Sequence, residues 1–134
     1  MAPENVEVVR RAWDGWIRDR WEGLVPYLDG DVIWDTSHFH DWPESTYYGR
    51  KGVERFLTEW LDVWDDYEVE VEEILSAPDG RVVVVSRQRG KGRVSELDME
   101  MRAGQINTVR DGKITRAENY EDPAEALEAA GLSE

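Results

Sequence analysis

Cysteine is absent from the 134-residue chain, so disulfides, thiolate metal sites and cysteine nucleophiles are excluded. Basic residues are scarce: sixteen stand against thirty acidic ones, for a formal net charge of -14. Such a surface repels phosphate backbones and anionic membranes, so neither nucleic acid nor a membrane is an expected partner. No stretch approaches the roughly 20 apolar residues of a membrane span. The opening residues, MAPENVEVVRR, carry no apolar signal core, and a cytoplasmic location is expected. Phosphate loop, dinucleotide fingerprint and nucleophile elbow are missing too, so the expected chemistry needs no cofactor. Histidine occurs only twice, as His38 and His40. An H-x-H pair offers two ligands, and a zinc site needs a third, for which Asp35 and Asp41 are the nearby candidates; no metal is expected.

What the chain has in quantity is tryptophan, seven residues of it. At this length one core suffices, and residues 1–134 are read as a single domain without repeat or linker. Val6, Val9, Trp13, Trp16 and Ile17 recur at three- and four-residue steps, which predicts a helix from about Pro3 to Asp19. WEGLVPYL reads as a short second helix and DVIWDTS as a strand over about 31–37. The next helix is the clearest: in GRKGVERFLTEWLDVWDD, Val53, Phe56, Leu57, Trp60, Leu61 and Trp64 form one stripe. The period then falls to two. YEVEVEEIL, RVVVVSRQRGKG, VSELDMEMRAGQINTVR and KITRAENY predict four strands joined by short turns, hence antiparallel neighbours. DPAEALEAAGL closes as a helix with Asp122 as N-cap, Pro123 at its first position and Gly131 at its end. The order is an α+β layout with helices on one face of a curved sheet, a geometry that leaves room for a small-molecule cavity.

Several passages carry a resemblance: DVIWDTS, DWPESTYYGRKGVERFLTEWL, the hairpin VVVVSRQRGKGRVSE, and RDGKITRAENYEDPAEALEAAGL. Together they resemble the SnoaL-like branch of the nuclear transport factor 2-like superfamily, which also holds the ketosteroid isomerases. The resemblance implies a cone-shaped, strongly curved, mostly antiparallel sheet with helices on its concave face, a pocket in the wide end, and a homodimer formed through the outer sheet. It implies several functions rather than one. In the isomerase branch a general-base carboxylate sits on the first strand, and that position falls on Thr36 here, with Asp35 one residue earlier and on the opposite face. The oxyanion-stabilising position on the penultimate strand falls on Gln105, which can donate a hydrogen bond but cannot shuttle a proton.

With Thr36 facing the pocket, strand parity puts Trp34, His38 and His40 on its side and Phe39 on the other. Either histidine then supplies the base that Thr36 cannot, or both are exposed or structurally bonded loop histidines. Trp13, Trp16, Trp60 and Trp64 lie on apolar helix faces, as core or as pocket lining. Tyr47 and Tyr48 stand where the chain turns into its helix, with a hydroxyl over the pocket or a ring on the surface. On the penultimate strand Gln105 and Asn107 share the apolar parity, and buried amides need partners, a ligand oxygen or their neighbours. On the last strand Ile114, Arg116, Glu118 and Tyr120 share a parity by simple counting. Glu118 is either an inward carboxylate or a surface partner of Arg116. The expected activity is binding of a small, largely apolar, oxygen-bearing molecule. A reaction, if there is one, is proton abstraction beside a carbonyl (isomerase, cyclase or dehydratase type). His38, His40 or Glu118 would be its base, and Gln105 with Asn107 or Tyr120 would hold the enolate. Trp34, Thr36, Trp60 and Trp64 complete the expected lining. The alternative is a non-catalytic ligand-binding or dimeric scaffold domain.

Overall fold

The computed structural model describes residues 2–39, 42 and 44–132. Helix α1 (Ala2–Asp19) buries Val9, Ala12 and Trp16 along one stripe. Helix α2 (Trp21–Leu24) and a 3-10 turn (Val25–Tyr27) then reverse the chain. The reversal is tight because Gly15 and Gly23 meet backbone to backbone: a Cβ on Gly15 would lie 2.0 Å from the Gly23 carbonyl oxygen. Only glycine at both positions allows that approach.

Strand β1 (Leu28–His38) is followed by β2 (Thr46–Tyr48), a three-residue strand not foreseen from the sequence, paired antiparallel to β1 through Ile33–Tyr48 and Asp35–Thr46. Helix α3 (Gly49–Val63) buries Val53, Phe56 and Leu57. It stops three residues before the expected Asp66, because Trp64 already has extended backbone and opens β3 (Trp64–Ser76). Strands β4 (Val82–Gly92), β5 (Asp98–Arg110) and β6 (Lys113–Tyr120) complete a six-stranded sheet in the order β2-β1-β6-β5-β4-β3. All neighbours are antiparallel except β1 and β6. The fold is α+β, with a curved, unclosed sheet.

Two cores sit on opposite faces. On the inner face α1 and α3 cover Val32, Trp34, Val82, Val84, Ile114 and Ala117. On the outer face the short helix α4 (Pro123–Ala129) covers Val83, Ile106 and Tyr120 with Ala126 and Ala130. Asp122 caps α4 by accepting from the Ala124 N–H at 2.9 Å, and Pro123 follows at the first helical position. Gly104 lets this helix approach, since a Cβ there would stand 2.6 Å from that of Ala126.

Two irregularities decide which side chains face which core. Between β5 and β6 the partners run Thr108–Arg116 and then Val109–Ile114, so Thr115 is an extra residue. A bulge of this kind inverts parity beyond it. Ile114 therefore faces inward, and so do Ala117 and Asn119, while Arg116, Glu118 and Tyr120 face outward. The simple count that grouped Glu118 and Tyr120 with Ile114 fails here. A second bulge lies in β1, where Asp35 pairs with Glu118 but His38 with Tyr120, three steps against two. It carries His38 to the outer face and Phe39 to the inner one, the reverse of the expected assignment.

Candidate ligand-binding site

The inner face closes over a cavity. Its walls come from α1 (Ala12, Trp13, Trp16), α3 (Phe56, Leu57, Trp60), Trp34 of β1, Phe39 just after it, Leu24 and Tyr67. Gln88, Gln105, Asn107, Ile114 and Asn119 line it from the sheet. Measured as the room open to the centre of a water-sized sphere, the cavity holds about 70 Å³. A single water needs roughly 10–15 Å³ on that measure, so the space exceeds one solvent site. A larger depression of about 360 Å³ lies outside, beside Arg20, Tyr67, Arg87 and Arg89. It is a surface groove whose charges already pair, Arg87 with Glu70 at 3.9 Å and Arg89 with Glu68 at 4.0 Å. The aromatic cavity is the better ligand site, because a few convergent polar groups among apolar walls give both affinity and orientation.

Trp60 is the hub of the walls. Its ring centroid lies 5.7 Å from Trp42, 6.0 Å from Phe39, 6.3 Å from Phe56 and 6.5 Å from Tyr67. Offset and edge contacts of this kind hold large rings without filling the space between them. Trp34 leans on Phe56 at 5.9 Å.

The polar groups form two connected sets. The Trp13 indole N–H donates to Gln105 Oε1 at 3.1 Å, Gln105 Nε2 donates to Asn119 Oδ1 at 2.9 Å, and Asn119 Nδ2 donates to the Asp35 carbonyl at 3.1 Å. Separately, the Tyr67 hydroxyl donates to Gln88 Oε1 at 2.5 Å, and Gln88 Nε2 donates to Ser86 Oγ at 3.2 Å. Burial pushes the Tyr67 phenol up to about 12, against opposing contributions from Trp60, Arg20 and Trp16, so it stays a neutral donor. Asn107 Nδ2 donates to the Val82 carbonyl at 3.4 Å. Asn107 Oδ1 and Trp34 Nε1 are both buried without a hydrogen-bond partner.

The remaining expected site residues are scattered. Thr36 is fully buried and faces inward, but its hydroxyl donates to the Glu44 carbonyl at 2.7 Å and does not line the cavity. Trp64 packs edge-on to Trp60 at 5.6 Å, outside the lining, above Gly90. His38 is exposed and stacks on the Tyr120 ring at 4.1 Å on the outer face. Glu118 also faces outward, 3.8 Å from Arg81 and 4.0 Å from Arg116, so the surface-pair alternative is the one the structure contains. Asp35 pairs with Arg116 at 3.1 Å. Burial pushes the Asp35 carboxyl up, but the Ser37 side chain and backbone N–H and the Arg116 charge outweigh it and hold it below its ordinary value. His40 and Asp41 lie outside the described residues. Tyr47 is buried, its hydroxyl accepting from Trp42 Nε1 at 2.8 Å and donating to Glu59 at 3.1 Å, whereas Tyr48 is exposed. Among the described residues no cluster of three or more His, Asp or Glu could hold a metal ion, and no helix is long and apolar enough to cross a membrane.

Sequence reasoning missed Gln88, Asn119, Tyr67 and Phe39. Gln88 was findable, since it continues the alternation of Val82, Val84 and Ser86. Asn119 and Phe39 were hidden behind the bulges.

Solved structures share the architecture. A putative polyketide cyclase from Xanthomonas campestris is 21% identical, with a TM-score of 0.71 over 98% of this chain and 97% of that one. A putative SnoaL-like polyketide cyclase from a Jannaschia species is 20% identical, with a TM-score of 0.75 over 99% and 94%. TerC, crystallised with polyporic acid, is 23% identical, with a TM-score of 0.74 over 95% and 97%. At these identities the likeness is one of fold. No curated protein matches the sequence. The model of the SnoaL-like domain matches residues 9–117, which span the walls of the cavity and most of the sheet beneath it, and the chain belongs to that family.

Proposed function

We propose that the protein binds a small, flat, largely apolar molecule bearing oxygen in the cavity between α1, α3 and the sheet. The observation that carries this is the convergence of four aromatic walls, Trp16, Trp34, Phe56 and Trp60, on a sheet surface lined with side-chain amides. Apolar enclosure supplies affinity, and a few placed amides orient the oxygen. That TerC was crystallised with polyporic acid supports a small-molecule-binding use of this fold.

Binding is preferred to catalysis because no imidazole or carboxylate stands among the described lining residues. Proton abstraction beside a carbonyl is the second reading, favoured by the polyketide cyclase and isomerase-like neighbours. His40 is then the base to test, by His40→Gln on an enol-forming substrate. A homodimer through the open outer face of β3–β5 is proposed alongside, and sedimentation at micromolar concentration tests it.

Binding is tested by titrating the protein with one-ring aromatic compounds while following its NMR signals. The expected shifts concentrate on the indole N–H groups of Trp13, Trp16, Trp34 and Trp60 and on the side-chain amides of Gln105 and Asn119. Shifts confined to surface residues, or none at millimolar ligand, overturn the reading.

A further inference from the structure

Strand β3 ends the sheet, and among the described residues β4 is its one strand neighbour. Over residues 68–71 it runs in unbroken register with residues 86–89, so alternate residues of that stretch turn their N–H and C=O groups to the open side. Among the described residues two side chains bond to the β3 backbone: Arg93 donates to the Trp64 carbonyl at 3.3 Å, and Arg20 to the Tyr67 carbonyl at 3.4 Å. Neither reaches past Tyr67. The groove beside Arg20 follows this edge. Its lining takes Tyr67 and Val69 from the inner face of β3, Glu68 and Glu70 from the outer face, and Ile17 from α1. Side chains from opposite faces of one strand line one groove where it runs along the strand's rim, so the groove is a slot beside the backbone. Its surface is unfinished: no residue of β3 is buried, whereas residues 82–86 of β4 all are, and Ile17 is 40% exposed.

Charge says what fits. The strand carries Asp65, Asp66, Glu68, Glu70, Glu72 and Glu73 and no Lys or Arg. The Glu68 and Glu70 side chains are 73% and 61% exposed, and the cations paired with them, Arg89 at 4.0 Å and Arg87 at 3.9 Å, stand behind them on β4. We propose that the open edge of β3 docks an extended segment of a partner protein in which Lys or Arg alternates with apolar residues. The segment adds as one more strand. Backbone bonds to residues 68–71 hold it, its apolar side chains cover Val69 and Ile17, and its cations stand across from Glu68 and Glu70. Arg20 marks the end of the slot, since it already holds the Tyr67 carbonyl. A second copy fits poorly, because its own β3 brings carboxylates to carboxylates. The proposal stands apart from ligand binding in the cavity.

Four seven-residue peptides, capped at both ends and fluorescently labelled, form the test. One alternates lysine with valine, one has the same composition in two blocks, one is the alternating peptide N-methylated at every amide, and one alternates glutamate with valine. Anisotropy gives their dissociation constants. The alternating lysine peptide is expected to bind about 10-fold or more tighter than each of the others, and to slow amide hydrogen exchange within residues 68–71. Glu68→Lys combined with Glu70→Lys should reverse the order of the lysine and glutamate peptides, with folding checked by circular dichroism. Should that variant fail to fold, the ranking of the four peptides on the parent protein and its exchange pattern decide alone. Equal binding of the alternating, block and methylated lysine peptides reduces the effect to plain charge attraction and overturns the proposal. Slowed exchange confined to the outer faces of β4 and β5, or no binding at millimolar peptide, overturns it too. So does protection of residues 68–71 that grows with protein concentration in the absence of peptide, which would make a second copy the occupant.

Discussion

The two faces of the sheet use the same strands for opposite purposes. Along β4, Val82, Val84, Ser86 and Gln88 face the inner core, where Gln88 reaches the cavity, while the residues between them face either helix α4 or solvent. The outer face away from α4 is a lattice of charges: Arg87 touches Glu72 at 3.0 Å and Glu100 at 2.7 Å, and Arg102 touches Glu72 at 2.7 Å. Every group in that lattice has a partner and stands near water. The inner face is the reverse, largely apolar, and among the described residues its buried side-chain polar atoms are bonded except for three, Asn107 Oδ1, Trp34 Nε1 and Trp64 Nε1. Exposed ion pairs contribute little, whereas buried rings contribute much. Stability should therefore reside on the inner face.

The sharpest break of this contrast is Phe56→Ala. The ring is 4% exposed and touches Trp34, Trp42, Tyr47 and Trp60. A loss of about 3–5 kcal/mol is expected in urea denaturation. Gly15→Ala comes next, at about 3 kcal/mol, because its Cβ meets backbone rather than a movable side chain. The same measurement checks it, and a loss below about 1 kcal/mol would mean that α1 and α2 can separate without cost.

Asp35 lies between the two faces in character, a mostly buried carboxylate paired to the half-exposed Arg116. Asp35→Asn should cost about 1 kcal/mol at neutral pH. Since the folded carboxyl titrates below its ordinary value, its contribution is full above the unfolded value near ~4 and is lost as pH falls through the folded one. Denaturation at pH 7 and pH 3 should show the gap between parent and variant closing on acidification; a gap that widens contradicts the assignment. Smallest of all, Arg87→Gln on the charged lattice should cost less than about 1 kcal/mol, and added salt should erase it. A larger, salt-resistant loss would show that the outer face is structural after all.

How far the sequence could be read follows the same division. Helical stripes and strand alternation are periodic signals, so α1, α3, β4, β5 and β6 were legible, and the parity of β5 put Gln105 and Asn107 on the inner face. A parity count assumes an unbroken ladder. Thr115 and the residues between Asp35 and His38 break it, and no periodicity announces a bulge. Glu118 and His38 thereby traded faces with Asn119 and Phe39. Trp64 continued the α3 stripe in sequence, yet it belongs to the next strand, because the backbone had already become extended there. Partnering of individual polar atoms, such as Asn107 Oδ1, depends on tenths of an ångström between strands and leaves no trace in residue order.

Among the described residues β3 pairs with β4 alone, so its other edge carries backbone donors and acceptors without a strand beside them. Open edges of long strands are templates on which further copies can stack into aggregates. Here the edge reads DDYEVEVEE, and a second copy aligned along it would bring two rows of carboxylates together. The acidity that tells so little about the ligand has this use: it sets like charge against any copy that would extend the sheet.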